Sequence, residues 1–478
     1  MKNLLSAALF AFSVCFSVSA SADEAKEFES DSKERKTVAV TIYNQDLALV
    51  REVRSVKLGE GTFALAFMGV ASTIDPTSVH LTSLTSPGAL SVLEQNYEFD
   101  LISPAKLLDK FVGKKVTLIE RIADGKERIV RDAELISTNS GTVYKIGDSI
   151  HLNFPGEVAL SQIPENLRAR PTLVWLLKND GVKKQDIEVS YLASGISWKS
   201  DYVVVVNESD TKIDMTGWVT ISNNSGATYQ NAALKLIAGD VNRVYDQSSR
   251  RMRYSMTYEM AAKAEAEPQF EEKAFFEYHI YKLNRPATIK ENQTKQMTLL
   301  SADGVSVNKK YLFRGMPTFY WYRYEGETKG KVGVYLEFKN SKENRLGIPL
   351  PKGKIRVYKA DADGAQQFVG EDMIDHTPKD EDVKVKLGEA FDIVGEHKQL
   401  SFKQLSKYVV EEEFEIKIRN HKKEKIVVEC EEKLSGEWEI TEKTHPYEKK
   451  DAWTVIFKVP VKPDEEAIVK YKVRSKNQ

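Results

Sequence analysis

Hydrophobic and polar residues alternate along most of the chain, and the pattern is clearest across residues 187–244. Apolar residues alternate with polar ones in 187–191, the period of two that marks a strand with one buried face, and Leu234, Leu236 and Ala238 alternate with Lys235 and Ile237 in the last strand. The run 202–206 is apolar and rich in β-branched residues, which is typical of a strand covered on both faces. With Trp218, Val219 and Ile221 in a further segment, residues 187–244 predict four strands joined by turns.

Turn residues and large aromatics fit this interpretation. Gly195 can adopt backbone conformations that a side chain would forbid, and Asn223-Asn224-Ser225-Gly226 has strong turn chemistry. Trp198, Tyr202 and Trp218 are predicted to form much of the core, because large aromatics dominate core burial. An exposed aromatic platform for sugar binding would use the same residue types, but the apolar neighbours favour burial.

Several segments carry a family resemblance. Y-L-A-S-G-I-S-W-K-S-D-Y (191–202) and N-N-S-G-A-T-Y-Q-N-A-A-L-K-L (223–236) resemble a bacterial domain-of-unknown-function family that includes mucoidy inhibitor A-like proteins. Segments 368–381 and 414–424 are similar to it as well, so the resemblance spans roughly residues 187–478. It implies a secreted or envelope-associated β-rich protein, and it carries no established catalytic residues.

The first residues have the composition of an export signal. Residues 1–22 combine Lys2, an apolar run at 4–18 and the small residues Ala20-Ser21-Ala22 of a cleavage site. Residues 23–36 are almost wholly charged or polar and predict a solvated tether. We therefore expect an exported protein, periplasmic or secreted, without an integral membrane segment once the signal is removed.

Residues 37–155 predict N-terminal β modules, one of them small and barrel-like. A hairpin is indicated around Asn44-Gln45-Asp46, where two alternating runs meet. One short helix is predicted near 104–112, with Ser103 as its cap, proline at its first position and Gly113 beyond its end.

The remaining chain divides into further β-rich regions. Residues 165–245 hold the central sandwich strands, and 246–272, which lack alternation, predict a linker. Strands in 273–330 complete the central region, and 331–478 predict an immunoglobulin-like sandwich because short strands are broken by repeated turn signals. The predicted fold class is all-β, with several sandwich and small barrel-like modules in one chain.

One predicted strand is unusually aromatic. The segment 311–324 reads Y-L-F-R-G-M-P-T-F-Y-W-Y-R-Y and carries aromatics on both faces. Such a strand is either sandwiched between layers or partly exposed. Burial is the favoured interpretation, but Phe319, Trp321 and Tyr322 are also the candidate binding residues.

Charge and cysteine content exclude several classes of function. Among 478 residues, 69 are Lys or Arg and 70 are Asp or Glu, so no global field would attract nucleic acid. Removal of the signal would take away Cys15 and leave Cys430 as the only thiol. A single cysteine forms neither an internal disulfide nor a multi-thiolate zinc site. No cofactor is expected.

No strong catalytic motif is present. Ser103 and Lys106 fit the S-x-x-K spacing, but the serine is better explained as the helix cap. The segment 372–381 places His376 among four carboxylates, a set that could hold a divalent cation, although a polar turn is the favoured interpretation. We predict neither catalytic nor metal-binding residues.

These observations predict an exported, envelope-associated protein that works by binding or scaffolding rather than by catalysis. The expected partner is another envelope protein or a glycan. The alternative is a hydrolase whose active site is assembled from distant residues, since such sites are defined in space rather than in sequence.

Overall fold

Strands dominate the computed structural model, which describes residues 26–121, 128–164, 167–239, 241–242, 269–315 and 327–476. It is 66% strand and 3% helix, with several separate sheets and one short α-helix. The all-β, multi-module prediction is therefore confirmed. Two compact units can be distinguished, the first containing residues 80–189 and the second residues 190–478.

The strands are numbered in chain order. The first sixteen are β1 (Glu27–Ser30), β2 (Arg35–Tyr43), β3 (Leu47–Lys57), β4 (Gly61–Met68), β5 (His80–Ser83), β6 (Leu90–Glu98), β7 (Lys115–Arg121), β8 (Arg128–Ser137), β9 (Val143–Ile146), β10 (Ser149–Leu152), β11 (Glu157–Ala159), β12 (Thr172–Asn179), β13 (Lys184–Ala193), β14 (Ile196–Val206), β15 (Lys212–Asn223) and β16 (Tyr229–Ala238). The others are β17 (Phe270–Phe275), β18 (Tyr278–Leu283), β19 (Ala287–Ile289), β20 (Gln293–Ser306), β21 (Asn308–Arg314), β22 (Glu327–Lys339), β23 (Gly353–Ala360), β24 (Gln366–Ile374), β25 (Asp382–Ser406), β26 (Val409–Asn420), β27 (Ile426–Lys433), β28 (Glu437–Lys443), β29 (Tyr447–Lys449), β30 (Thr454–Val461) and β31 (Glu466–Lys476).

The predicted helix and hairpin are both present. Helix α1 spans Pro104–Phe111, and the Ser103 hydroxyl caps it by accepting a hydrogen bond from the Lys106 N–H at 3.3 Å. Gly113 follows with a φ of 78°, the left-handed conformation that glycine adopts freely. Strands β2 and β3 flank the turn at Asp46, whose φ is 55°.

The first unit contains two sheets. A four-stranded sheet has the order β1-β4-β12-β6, and a five-stranded sheet has the order β10-β9-β8-β7-β11. The smaller module buries a core of its own, formed by Phe111 of α1 and by residues of β7, β8 and β9 such as Leu118, Leu135 and Tyr144.

The charged segment 23–36 differs from its prediction within the described residues. Residues 27–30 form β1, which pairs in parallel with β4, and a 3-10 turn follows at Ser32–Glu34. Backbone pairing in a sheet does not require apolar side chains, and Phe28 adds an edge-on contact with the ring of Phe63. This part of the segment is a strand rather than a tether.

The four central strands divide between two sheets. Strands β14 and β15 are adjacent in a sheet of order β20-β15-β14-β23-β24. Strands β13 and β16 belong to another sheet, of order β17-β18-β16-β2-β3-β13-β5, in which β19 also pairs with β16. The indole N–H of Trp198 in β14 donates to the carbonyl of Ile237 in β16 at 3.2 Å, which links the two layers.

Two of the three predicted core aromatics are buried. Trp198 is 3% exposed and Tyr202 is fully buried. Trp218 is only half-buried, because strand alternation places it on the face opposite Met215 and Val219. The core prediction is therefore wrong for Trp218.

Buried asparagines close several turns of the second unit. Asn223, at the end of β15, donates to the Ala227 and Lys290 carbonyls at 2.8 and 3.1 Å, while its side-chain oxygen accepts from the Ser225 N–H. Asn340 lies directly after β22, and Asn420 lies at the end of β26. Each likewise donates to at least two backbone carbonyls and accepts from one backbone N–H. Each amide thus satisfies backbone groups that the turn removes from the ladder.

The C-terminal sheet has nine strands in the order β28-β31-β26-β25-β22-β21-β27-β30-β29. Phe457 of β30 stacks on Tyr471 of β31 with ring centroids 5.2 Å apart, although five strands lie between β31 and β30 in the sheet order. The sheet therefore curls so that its two ends face each other across a common core.

Two predicted boundaries lie elsewhere in the structure. Strand β22 belongs to the C-terminal sheet but begins at Glu327, so a boundary between 330 and 331 falls inside a strand. Residues 270–272 of the predicted linker 246–272 belong to β17, and residues 246–268 lie outside the described part of the chain. No helix among the described residues is long and apolar enough to cross a membrane.

Candidate functional site

An open cleft lies at one end of the C-terminal sheet. It has a volume of about 690 Å³ and is lined by Lys433, Ser435, Gly436, Asp451, Trp453 and Thr454. Trp453 is 60% exposed, an unusual position for the largest apolar side chain. We call this the Trp453 cleft.

The ladder between β27 and β30 positions the cleft. Its last pair is Lys433 opposite Thr454, and the chain leaves the sheet on both sides of that pair. The Trp453 N–H donates to the Asp451 carboxylate at 2.8 Å, and the Trp453 carbonyl accepts from the Leu434 N–H at 2.7 Å. The backbone that carries the exposed indole is therefore held from two directions.

A second tryptophan supports the same loop. The indole N–H of Trp438 donates to the Ala452 carbonyl at 2.7 Å, directly before Trp453. The Trp438 ring packs edge-on against Tyr447, and the Lys449 ammonium lies over it at 4.2 Å from the centroid. Such contacts favour a preorganised loop, which reduces the entropy lost on binding.

The charges around the cleft are mixed. The N–H of Trp453 lowers the pKa of Asp451, so this carboxylate is charged at neutral pH. Glu431, two residues before Lys433 on β27, bridges Lys450 at 2.8 Å and Arg314 at 3.2 Å. Lys433 adds an exposed ammonium to the lining.

These groups can bind a ligand with one apolar face and several hydroxyl groups. The flat indole offers a large apolar surface with few rotatable bonds. Around it stand acceptors and donors: the Asp451 carboxylate, the Ser435 hydroxyl and the Lys433 ammonium. A few polar groups around an apolar wall are typical of a site for a small molecule or an oligomer.

A buried polar cluster lies inside the same sheet. Nε2 of His397 is 3.0 Å from Oε2 of Glu432, and the Tyr471 hydroxyl donates to that same oxygen at 2.7 Å. The three residues are 7%, 4% and 2% exposed, and the ring of Phe414 packs against both His397 and Tyr471. We call this the His397 cluster.

A histidine, a carboxylate and a hydroxyl are the components of a hydrolytic triad, but this arrangement is different. In a triad the histidine stands between the carboxylate and the nucleophile. In the His397 cluster the carboxylate stands in the middle and both other groups contact it. Burial, followed by the charge of Glu432, raises the pKa values of Tyr471 and of neighbouring Cys430, so neither group favours its nucleophilic anion. The cluster therefore has the geometry of a structural network.

The pKa of His397 is shifted in the opposite direction from what burial alone would cause. Burial disfavours the imidazolium, but the attraction and hydrogen bond of Glu432 outweigh it and raise the pKa of His397. The other oxygen of Glu432, Oε1, is buried and has no hydrogen-bond partner among the described residues. A Cβ at Gly315 would lie 2.1 Å from that oxygen, so the close approach requires glycine there.

The residues singled out in the sequence as candidate site residues differ in where the structure places them. Phe319, Trp321 and Tyr322 lie outside the described residues, so their role in binding stays a prediction. Ser103 is the cap of α1. Nδ1 of His376 accepts from the Lys352 N–H at 3.2 Å. Across the described residues, no group of three or more His, Cys, Asp or Glu side chains is arranged to hold a metal ion.

Comparison with protein families gives a match to the domain of unknown function DUF4139 over residues 187–476. The chain belongs to this family. The matched span covers more than half of the sequence and includes both the Trp453 cleft and the His397 cluster. No curated protein matches the chain.

Sequence reasoning missed Trp453. The available signal was a single tryptophan after the polar turn Lys449-Lys450-Asp451. The alternation of apolar and polar residues suggests that Trp453 belongs to a strand, because it directly precedes β30. Its exposure depends on where the ladder with β27 ends, which is a long-range property.

Proposed function

We propose that the protein is an exported, non-catalytic binding protein of the bacterial envelope that holds a glycan in the Trp453 cleft. The observation that carries this proposal is the exposed indole of Trp453 on a loop whose backbone is fixed on both sides. The face of a pyranose ring is apolar and its rim carries hydroxyls, which matches an indole surrounded by Asp451, Ser435 and Lys433.

The geometry of the His397 cluster supports a binding role over the hydrolase alternative. A catalytic nucleophile must reach substrate, whereas Tyr471 and Cys430 are 2% and 0% exposed. The Trp453 cleft, by contrast, presents its groups to solvent. Binding is thus the function that the accessible chemistry favours.

Two finer statements belong to the same proposal. The motifs S-W-K-S-D-Y (197–202) and N-N-S-G (223–226) favour the branch of the family that includes mucoidy inhibitor A-like proteins. The apolar run and small-residue site in 1–22 favour export to the periplasm or beyond. Intact-mass measurement of exported protein should give a chain that begins at or near Asp23; retention of Met1 would contradict export by this signal.

The binding proposal is tested by titrating the full chain with an oligosaccharide. The tetramer of N-acetylglucosamine is a suitable first probe, and isothermal titration calorimetry measures its affinity. Trp453→Ala should weaken binding at least about tenfold, because an aromatic side chain that a ligand covers at the centre of a site contributes about 2 kcal/mol or more to the binding free energy. Phe276→Ala is the matched control, because Phe276 is an aromatic residue that is 86% exposed.

Three results would contradict the proposal. The first is equal affinity of Trp453→Ala and the parent chain, and the second is an equal loss in Phe276→Ala. The third is capture of an envelope protein that depends on Trp453, with no oligosaccharide binding across neutral and acidic probes. That last result would make a protein the partner of the cleft.

A further inference from the structure

Another pocket lies in the second unit and shares no lining residue with the Trp453 cleft. It occupies about 230 Å³ between β23 and β24 on one side and β22 and β25 on the other. Its walls are mostly aliphatic and are formed by Val206, Val334, Leu336, Val369 and Leu387.

Two β-bulges face this pocket. Along β24, Gly370 pairs with Val357 and Phe368 with Tyr358, which leaves Val369 as the extra residue. On β25, Leu387 is likewise extra, because the partners of Val334 and Tyr335 are Gly388 and Lys386. Bulges redirect side chains and are over-represented beside functional sites. Both extra residues line the pocket.

The strands approach closely at this point. A Cβ at Gly370 would lie 2.2 Å from the Leu387 carbonyl oxygen, so only glycine permits the observed spacing. The bulges therefore create a cavity next to a tight contact, where continuous ladders would have placed side chains in regular alternation.

One end of the pocket is charged. The Asp210 carboxylate accepts from the Lys309 ammonium at 2.8 Å and from the Lys359 ammonium at 2.5 Å. Lys359 also donates to the Glu208 carbonyl at 2.9 Å. An ammonium has three N–H donors, so at least one remains on each lysine.

The charged side chains that line the pocket are balanced. Lys309 and Lys359 stand against Asp210 and Glu389, and Glu389 is itself paired at 2.9 Å with Lys331, which lies outside the lining. An anion would therefore be held through the remaining N–H donors of the two lysines rather than by an excess of positive charge. Burial opposes the charge on Lys309, but the contacts with Asp210 and Tyr311 outweigh burial and raise the pKa of Lys309, so the ammonium is retained.

We propose that this pocket binds a medium-chain aliphatic carboxylate, with its chain between the bulges and its head group at Lys309 and Lys359. The volume fits that class. An engineered apolar cavity of ~150 Å³ takes up benzene, with six carbons, so about 230 Å³ accommodates roughly nine. The aliphatic walls favour the chain, and the free N–H donors favour the carboxylate.

The test compares three ligands of the same length on the full chain by calorimetry: octanoate, octanol and octylamine. Octanoate should bind saturably, octanol should bind about tenfold more weakly, and octylamine should bind more weakly still, because only the carboxylate gains charge-assisted hydrogen bonds. Val369→Phe should abolish binding by filling the pocket. Val427→Phe is the matched control, since Val427 is an exposed strand valine that does not line the pocket.

Asp210→Asn separates a ligand site from a structural ion pair. Asparagine tolerates the left-handed backbone at this position, where φ is 56°, so the variant should fold. Removal of the competing carboxylate should tighten octanoate binding about three- to tenfold and leave octanol unchanged.

The proposal is overturned by any of four results. These are no saturable octanoate binding, equal binding of octanoate and octylamine, octanoate binding that survives Val369→Phe, and weaker octanoate binding in folded Asp210→Asn. Circular dichroism of each variant confirms that the comparison is between folded proteins.

Discussion

The Trp453 cleft and the His397 cluster share strand β27 and have opposite properties. Glu432 and Lys433 are neighbours on β27, and they lie opposite Val455 and Thr454 of β30. Glu432 is 4% exposed and points to the core, whereas Lys433 is exposed and lines the cleft. Residue types alone would favour the cluster as the functional site, but accessibility favours the cleft. A set of side chains that resembles a catalytic site can therefore serve to stabilise the packed core.

The largest expected effect is on the buried side of this comparison. Glu432→Ala should lower the free energy of unfolding by about 3–5 kcal/mol, because removing one partner leaves the other charge buried and uncompensated. Urea denaturation of the variant and the parent chain measures the difference. A loss below about 1 kcal/mol would show that the cluster does not stabilise the sheet.

The next effect is a pH dependence of stability. The pKa of His397 is raised by Glu432 above its ordinary value of 6.5, so the folded state binds the proton more tightly than the unfolded chain. The resulting stability is fully present below about pH 6.5 and is lost as the pH rises through the folded-state pKa. A tenfold difference in proton affinity between the folded and unfolded states corresponds to about 1.4 kcal/mol of stability.

His397→Gln isolates this contribution. The stability difference between the parent chain and the variant should shrink as the pH rises through the folded-state pKa. Urea denaturation at a series of pH values measures it. A difference that grows with pH would contradict the assigned direction of the pKa change.

A smaller effect is expected at the support of the cleft. Trp438→Phe removes the 2.7 Å hydrogen bond to the Ala452 carbonyl but keeps an aromatic ring against Tyr447. The loss should be about 0.5–1.5 kcal/mol of stability, the net value of one hydrogen bond. Binding of the oligosaccharide should weaken less than in Trp453→Ala, because the loop loses one of its anchors and keeps the indole of Trp453. If Trp438→Phe weakened oligosaccharide binding as much as Trp453→Ala or more, Trp438 rather than Trp453 would form the binding surface.

Much of the fold could be predicted from local sequence. The hairpin at Asp46, the cap at Ser103 and the turn at Asn223 depend on neighbours within a few residues, and all three are present. The division of β13 to β16 between two sheets could not be predicted, because strand partners such as β2 and β23 are far away in sequence. Alternation indicates that a strand has a buried face, but not which sheet covers it.

The candidate site was harder still to predict. The His397 cluster joins residues separated by 35 and 39 positions on three strands, and no spacing rule connects them. The aromatic run at 319–324 is conspicuous in sequence because its aromatic residues are adjacent. Trp453 is a single residue, and its exposure follows from the end of the β27–β30 ladder.

The central claim, that the cleft binds and the cluster stabilises, is tested most directly by one crossed measurement. Melting temperature and oligosaccharide affinity are determined together for Trp453→Ala and Glu432→Gln. Trp453→Ala should lose affinity while its stability stays within about 0.5 kcal/mol of the parent, as for a surface substitution. Glu432→Gln should melt earlier and, below its melting temperature, bind as the parent does. The opposite pattern, with Trp453→Ala destabilised and unchanged in affinity, would contradict the account.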